Sequence, residues 1–404
     1  MNDVQARGPD AAPQLTALNG MRFFAVFHIF LYHLWSIRFE SPRLQEPFAN
    51  AYSNMDTFPE WFNNLIAHGY LSTSFFFLLS GFILAYLYWT PDGQLATTRK
   101  HFWRQRFTRI YPAHLIAFVI TCLLTLPRYF YDPDAPSIPL AVASAVATAT
   151  LTQAWIPPLV PIWSWPTWAL SAVVFLYLIM PWLMRVLAGL SRGQQIGLLV
   201  ASPAISLVPT LVFLQFFPDG GKDSLNWQIF LGSTPLFWVA HFAAGMLMSR
   251  VFAISRFETA WRQKPAPWVS SGDLALVAVI GLSLMDPHDR AWRHILRHGA
   301  LLPVYMLVLY DLALGRGLVA RLFSLPGMNF LGQLSFSIFI WQNLFMGLGF
   351  AMMLAAPQTT SLSFWFAVIG LLVMSVTSTF YIEKPLARRL RKKWGQSPIP
   401  GNGD

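Results

Sequence analysis

The sequence predicts an all-α protein threaded many times through a membrane. Hydrophobic residues make up 55% of the 404 and charged residues only 11%, whereas a soluble domain is about 25% charged. Mean hydropathy is +0.47. Apolar runs of about 20 residues, each enough to cross ~30 Å of hydrocarbon, recur from one end of the chain to the other, at 16–36, 65–89, 112–130, 138–156, 166–188, 196–217, 229–250, 271–286, 299–315, 329–355 and 363–382.

Basic clusters decide which runs cross. Arg99, Lys100, Arg104, Arg106 and Arg109 form one cluster, and Arg185 with Arg192 a second. The others are Arg250, Arg256, Arg262 and Lys264, then Arg316 and Arg321, then Arg388 to Lys393. The positive-inside rule places all five in the cytoplasm, which is consistent only if one run between Pro112 and Pro166 fails to cross. Run 138–156, rich in Ala and Thr and followed by "PPLVPIWSWP", is the weakest. The expectation is therefore a polytopic membrane protein of about ten transmembrane helices. A re-entrant or outer-surface segment lies near 138–165, and both termini are cytoplasmic. A tail (1–15) precedes the membrane body (16–385), and a basic tail (386–404) follows it. Segments 37–64, 131–165, 218–228 and "DPHDRAWRHILRHG" at 286–299 fall outside.

The net charge of +10 would suit a nucleic-acid partner, but the charges sit in clusters between apolar runs, so none is expected. The single cysteine, Cys122, lies within a run and excludes an intrachain disulfide. The N-terminus lacks a basic n-region and the first run is interrupted by Arg22, so no cleavable signal peptide is expected. No internal repeat is evident, which disfavours an inverted-repeat transporter.

Polar residues inside the spans carry the functional signal, because an ionisable group there must be compensated. Arg22 and His33 are eleven residues apart in "LTALNGMRFFAVFHIFLYHLW". Eleven steps of a helix run about 20° past three whole turns, so the two share a face, roughly 16 Å apart along the axis. His28 is turned by roughly 140° from His33 and reads as packing. In "STSFFFLLSGFIL" (72–84), Ser80 and Gly81 interrupt large apolar residues, and small residues permit close helix approach. In "HFWRQRFTRIYPAH" (101–114), Arg104, Arg106 and Arg109 alternate with aromatics. That is a basic amphipathic helix on the cytoplasmic face, suited to anionic membrane lipid or to a phosphorylated donor gripped by arginine.

In this order these pieces resemble the acyltransferase-3 family of membrane acyltransferases. Arg22 and His33 match its Arg-x10-His signature. Phe76, Phe77, Leu79, Ser80, Gly81 and Phe82 match "FFxLSGF", and Arg106, Arg109, Ile110 and Pro112 match "RxxRIxP". "PTWALSAVVFLYLIMP" (166–181), "FLGQLSFSIFIWQNLF" (330–345) and "YIEKPLARRL" (381–390) are similar to its later spans and closing motif. The chain departs from the family at three places: Val173 stands where Glu is frequent, Gln342 where His is frequent, and no acid lies near His241.

The resemblance implies an O-acetyltransferase of the bacterial inner membrane, of the exopolysaccharide (xanthan-type) branch, with no permanently bound cofactor. It would move acetyl from cytoplasmic acetyl-CoA to a hydroxyl of a glycan or polyprenyl-linked oligosaccharide. His33 would act as catalytic base, or carry the acetyl group transiently in a ping-pong route, with Arg22 beside the donor, and Arg104, Arg106, Arg109, Ser80 and Gly81 would hold acetyl-CoA. Trp168, Gln342, Asn343 and His241 would face the acceptor. No metal is implied. A flippase for a polyprenyl-linked or acylated sugar, with Arg22 and His33 lining a passage, and a non-catalytic scaffold in a polysaccharide assembly complex remain alternatives.

Overall fold

The structure, a computed structural model, describes residues 12–40, 58–90, 92–127, 135–257, 267–285, 289–356 and 359–394. Among these residues it is helical, without a strand beyond one isolated bridge between Trp89 and Leu95. In chain order the helices are α1 (Ala12–Glu40), α2 (Glu60–Ala67), α3 (Ser72–Tyr88), α4 (Arg99–Thr125), α5 (Ile138–Ala149), α6 (Trp168–Ala188), α7 (Arg192–Phe216) and α8 (Leu225–Ser233). They continue as α9 (Val239–Phe257), α10 (Ser271–Ser283), α11 (Arg290–Ile295), α12 (Leu302–Leu314), α13 (Gly317–Phe323), α14 (Pro326–Ala355), α15 (Thr360–Thr377) and α16 (Lys384–Lys393).

Seven helical stretches among the described residues are long and apolar enough to cross a membrane, and an eighth if the bent pair Arg290–Ala300 and Leu302–Leu314 counts as one broken span. The chain is thus an all-α, multi-pass membrane protein. The expected ten also counts α1 and the thirteen-residue α10 as spans. Helix α5 has only twelve residues, about 18 Å of rise, too short to cross. The chain leaves it through short 3-10 turns at 153–155, 157–159 and 165–167, so segment 138–165 folds back before α6 begins. Ser144 Oγ donates to Leu159 O at 2.7 Å and Trp163 Nε1 to Ala141 O at 2.8 Å, which ties the returning strand of chain to α5.

Close backbone crossings hold the bundle together. Helices α3 and α9 meet through two glycines: a Cβ on Gly81 would overlap the Phe242 carbonyl, and one on Gly245 the Leu78 carbonyl. Small residues let the two backbones touch, which is how helices associate where lipid removes the usual hydrophobic drive. Helix α1 packs between α3 and α14. Gly332 of α14 lies against the Asn19 backbone, and Asn19 Nδ2 donates to Asn329 Oδ1 at 3.2 Å. These crossings fix α1, carrying Arg22 and His33, in the middle of the bundle, where Val26 and Phe30 are buried in the core with Phe77 and Trp168.

Candidate active site

One stripe of α1 builds the site. Arg22, Val26, Ile29, His33 and Ser36 recur at steps of four and three, the spacing of a single helix face, and all five line a cavity. The inner cavity, about 970 Å³, is walled by Arg22, Ser80, Arg106, Arg109, Val173 and Tyr177 among others. The outer, about 1210 Å³, holds His33, Tyr70, Trp165, Trp168, Gln228 and Arg297. Val26, Phe76, Ala169 and Phe339 line both, so the two cavities abut at a neck formed by α1, α3, α6 and α14.

The inner cavity concentrates positive charge. Arg22 Nη2 donates to Gly332 O at 2.9 Å. Arg106 Nη2 donates to the Tyr88 hydroxyl at 2.5 Å, with its guanidinium 5.0 Å from the Tyr88 ring centre and 5.9 Å from that of Tyr177. Glu383 supplies the opposite charge that acts on Arg109. Its carboxylate accepts from Ser337 Oγ and from Ser378 Oγ, the latter at 3.0 Å. No carboxylate among the described residues lines the inner cavity. Val173, where relatives often carry Glu, is one of its apolar walls. Three guanidinium groups around a partly apolar hollow suit an elongated ligand that is anionic at one end.

His33 sits at the far end of the stripe, 9% exposed. Its Nδ1 lies 3.0 Å from Gln342 Oε1. The Gln342 amide nitrogen donates to Phe339 O at 3.0 Å. A carbonyl only accepts, so the amide can be placed only one way, with Oε1 toward the imidazole. Oε1 in turn only accepts, so Nδ1 must carry the hydrogen. Nε2 then keeps its lone pair, and no described residue hydrogen-bonds it. An imidazole held in this tautomer is equipped to take a proton from a hydroxyl. His28 is engaged at both nitrogens, with Ser72 Oγ at 2.9 Å and Leu65 O at 2.7 Å, and serves packing.

Several residues singled out in the sequence lie elsewhere. Gln342 is fully buried behind His33 and does not line the outer cavity; it positions the imidazole instead of facing an acceptor. Asn343 donates to Trp163 O at 3.0 Å, which anchors the folded-back segment to α14. His241 is fully buried against Trp238, with both ring nitrogens unpartnered, and is not part of the cavity lining. Gly81 faces α9, away from the inner cavity. Arg104 is exposed, stacked 5.6 Å over the Trp394 ring, while Arg106 and Arg109 point inward. Trp168 lines the outer cavity.

The outer cavity also draws on residues that the sequence reading passed over. Arg290, Arg293, His294 and Arg297 line it, as do Trp165 from the folded-back segment and Gln228 from α8. Residues from three of the four segments expected outside therefore converge around His33. The signal was present in "RAWRHILR", where the four basic residues fall at steps of three, four and seven.

Two adjoining cavities, both lined by arginines and the outer one presenting an imidazole, meet inside a helical membrane bundle. The acyltransferase domain family matches residues 15–384, and the chain belongs to that family, acyltransferase-3. Over 287 residues it is 25% identical to the acyltransferase MdmB of Streptomyces mycarofaciens, a stretch covering 69% of this chain and 66% of that protein. The chain thus spans just under two thirds of the length of this relative. No solved structure matches it.

Proposed function

We propose that the protein is an O-acetyltransferase of the bacterial inner membrane, carrying acetyl from cytoplasmic acetyl-CoA to a hydroxyl of an exopolysaccharide or its lipid-linked precursor. The meeting of the two cavities carries this reading: Arg22, Arg106 and Arg109 lie on one side of the neck and His33 on the other. CoA phosphates pair with the inner arginines, and the thioester arm passes Val26 toward His33. The acceptor hydroxyl loses its proton to His33 Nε2 as its oxygen attacks the thioester carbonyl. Collapse breaks the C–S bond, and the departing thiolate recovers the proton from the imidazolium. An acetyl ester and free CoA result, with His33 returned to its starting form. General-base help of this kind supplies about 10²–10⁴-fold.

Thiol release from acetyl-CoA by the purified protein, dependent on added glycan, tests the reading against a flippase or a scaffold, neither of which would release thiol. In the same assay Arg22→Ala is expected to raise the KM for acetyl-CoA about tenfold or more, as loss of a charge-assisted contact of ~1.5–3 kcal/mol does, with the acceptor KM unchanged. An unaltered dependence on acetyl-CoA would remove Arg22 from the donor side.

A further inference from the structure

The basic residues of the outer cavity form an ordered face. Asp289 caps α11, its Oδ1 accepting from the amides of Ala291 at 2.8 Å and Trp292 at 3.2 Å. The helix runs on through the turn 296–300 before the chain bends by 46° into α12. Over this stretch Arg290, Arg293, His294 and Arg297 occupy steps of three, four and seven, one side of the helix, and all four line the cavity. Trp292, on another side, is exposed. The charged face is thus turned inward and the aromatic outward, the reverse of a helix that merely solvates its charges.

Neighbouring groups hold this face in place. The Arg297 guanidinium lies 5.4 Å from the Trp168 ring centre and 5.5 Å from that of Trp238, and it donates to Gly232 O at 3.4 Å. Its backbone carbonyl accepts from Ser74 Oγ. His294 Nε2 donates to Gly220 O at 3.2 Å. Arg297 is also the charge that acts on His33. Among the described residues no carboxylate lines the cavity, while Trp165, Trp168 and Tyr70 do. Three arginines on a segment expected outside also run against the usual placement of positive charge in cytoplasmic loops.

We propose that the outer cavity selects an anionic acceptor. An oxyanion, either a sugar carboxylate or the diphosphate of a lipid-linked sugar, seats on the face formed by Arg290, Arg293 and Arg297. The sugar ring lies against the Trp165 and Trp168 walls and presents a hydroxyl to His33. The inference rests on the acetyltransferase reading for the fate of that hydroxyl, but the binding itself is independent of it.

Binding without turnover therefore tests it. Wild-type protein and Arg290→Gln/Arg293→Gln are placed in nanodiscs, and affinity is measured for an oligoglucuronate, a polyprenyl diphosphate and a neutral oligomannose of the same length as the oligoglucuronate. At least one anionic probe is expected to bind the wild type tenfold or more tightly than the oligomannose, and to lose at least tenfold in the double variant. Binding of the oligoglucuronate alone identifies the oxyanion as a sugar acid, and of the diphosphate alone as a lipid carrier. Equal affinity for all three probes, or an anionic affinity unmoved by the substitutions, overturns the proposal. So does a loss confined to the affinity for acetyl-CoA, titrated in parallel on the same nanodiscs, which would assign the face to the donor. If the double variant does not fold, Arg290→Gln alone is read the same way. Should an anionic probe bind with this arginine dependence while no acetyl is transferred, the anionic site stands and the acetyltransferase reading falls.

Discussion

Replacing His33 by alanine is expected to abolish acetyl transfer while the protein still inserts and folds. The imidazole lines the outer cavity with its Nε2 lone pair engaged by no described residue, because Gln342 fixes the hydrogen on Nδ1. Removing a positioned base costs about 10²–10⁴-fold in turnover. His33 is nearly buried and its loss leaves Gln342 Oε1 without its donor, a cost of about 1–3 kcal/mol, so a lower melting temperature accompanies the loss of activity. Single-turnover acetyl transfer to glycan, with the melting temperature measured in parallel, checks both halves. A variant that transfers acetyl at the wild-type rate would remove His33 from the chemistry.

The second large effect is expected at Gln342, which touches no ligand. Gln342→Leu keeps the volume but removes the acceptor that holds Nδ1–H. The imidazole is then free to turn or to change tautomer, and kcat should fall about 10–10²-fold, part of the general-base term, with KM for both substrates nearly unchanged. Gln342→His, which restores the residue relatives often carry there, should recover most of the rate, since a neutral imidazole also offers a lone pair. A purely structural role would instead lower the melting temperature of Gln342→Leu, leave its kcat per folded molecule intact and give no recovery with His.

What was legible from the chain follows from which contacts are local. Arg22 and His33 lie on one helix, so an eleven-residue interval was enough to place them on one face, and the structure puts each in its own cavity. Apolar runs located the helices because lipid demands uninterrupted ones, whereas α5 stops at Ala149, just before Leu151 takes a positive φ of 58°. The pairing of His33 with Gln342 joins residues 309 apart in sequence and depends on how α14 packs on α1, which no local pattern encodes. Gly81 carried a motif match but owes its identity to the backbone of α9. Arg104 was grouped with Arg106 and Arg109 by proximity, although a helix turns it about 160° from Arg106. That periodicity was available and separates the surface arginine from the two inward ones. The face of Arg290, Arg293, His294 and Arg297 was equally open to a periodicity argument, but it sat in a segment placed outside the spans, where helical spacing was not sought.

The central claim is that donor and acceptor reach the neck from opposite sides of the membrane. Proteoliposomes holding the protein in a single orientation test it most directly, with labelled acetyl-CoA on one side and a membrane-impermeant glycan on the other. Acetylated glycan is expected only when acetyl-CoA is on the side of Arg106 and Arg109 and the glycan is on the side of Arg290 and Trp165. Equal acetylation with both substrates confined to the same side would contradict it.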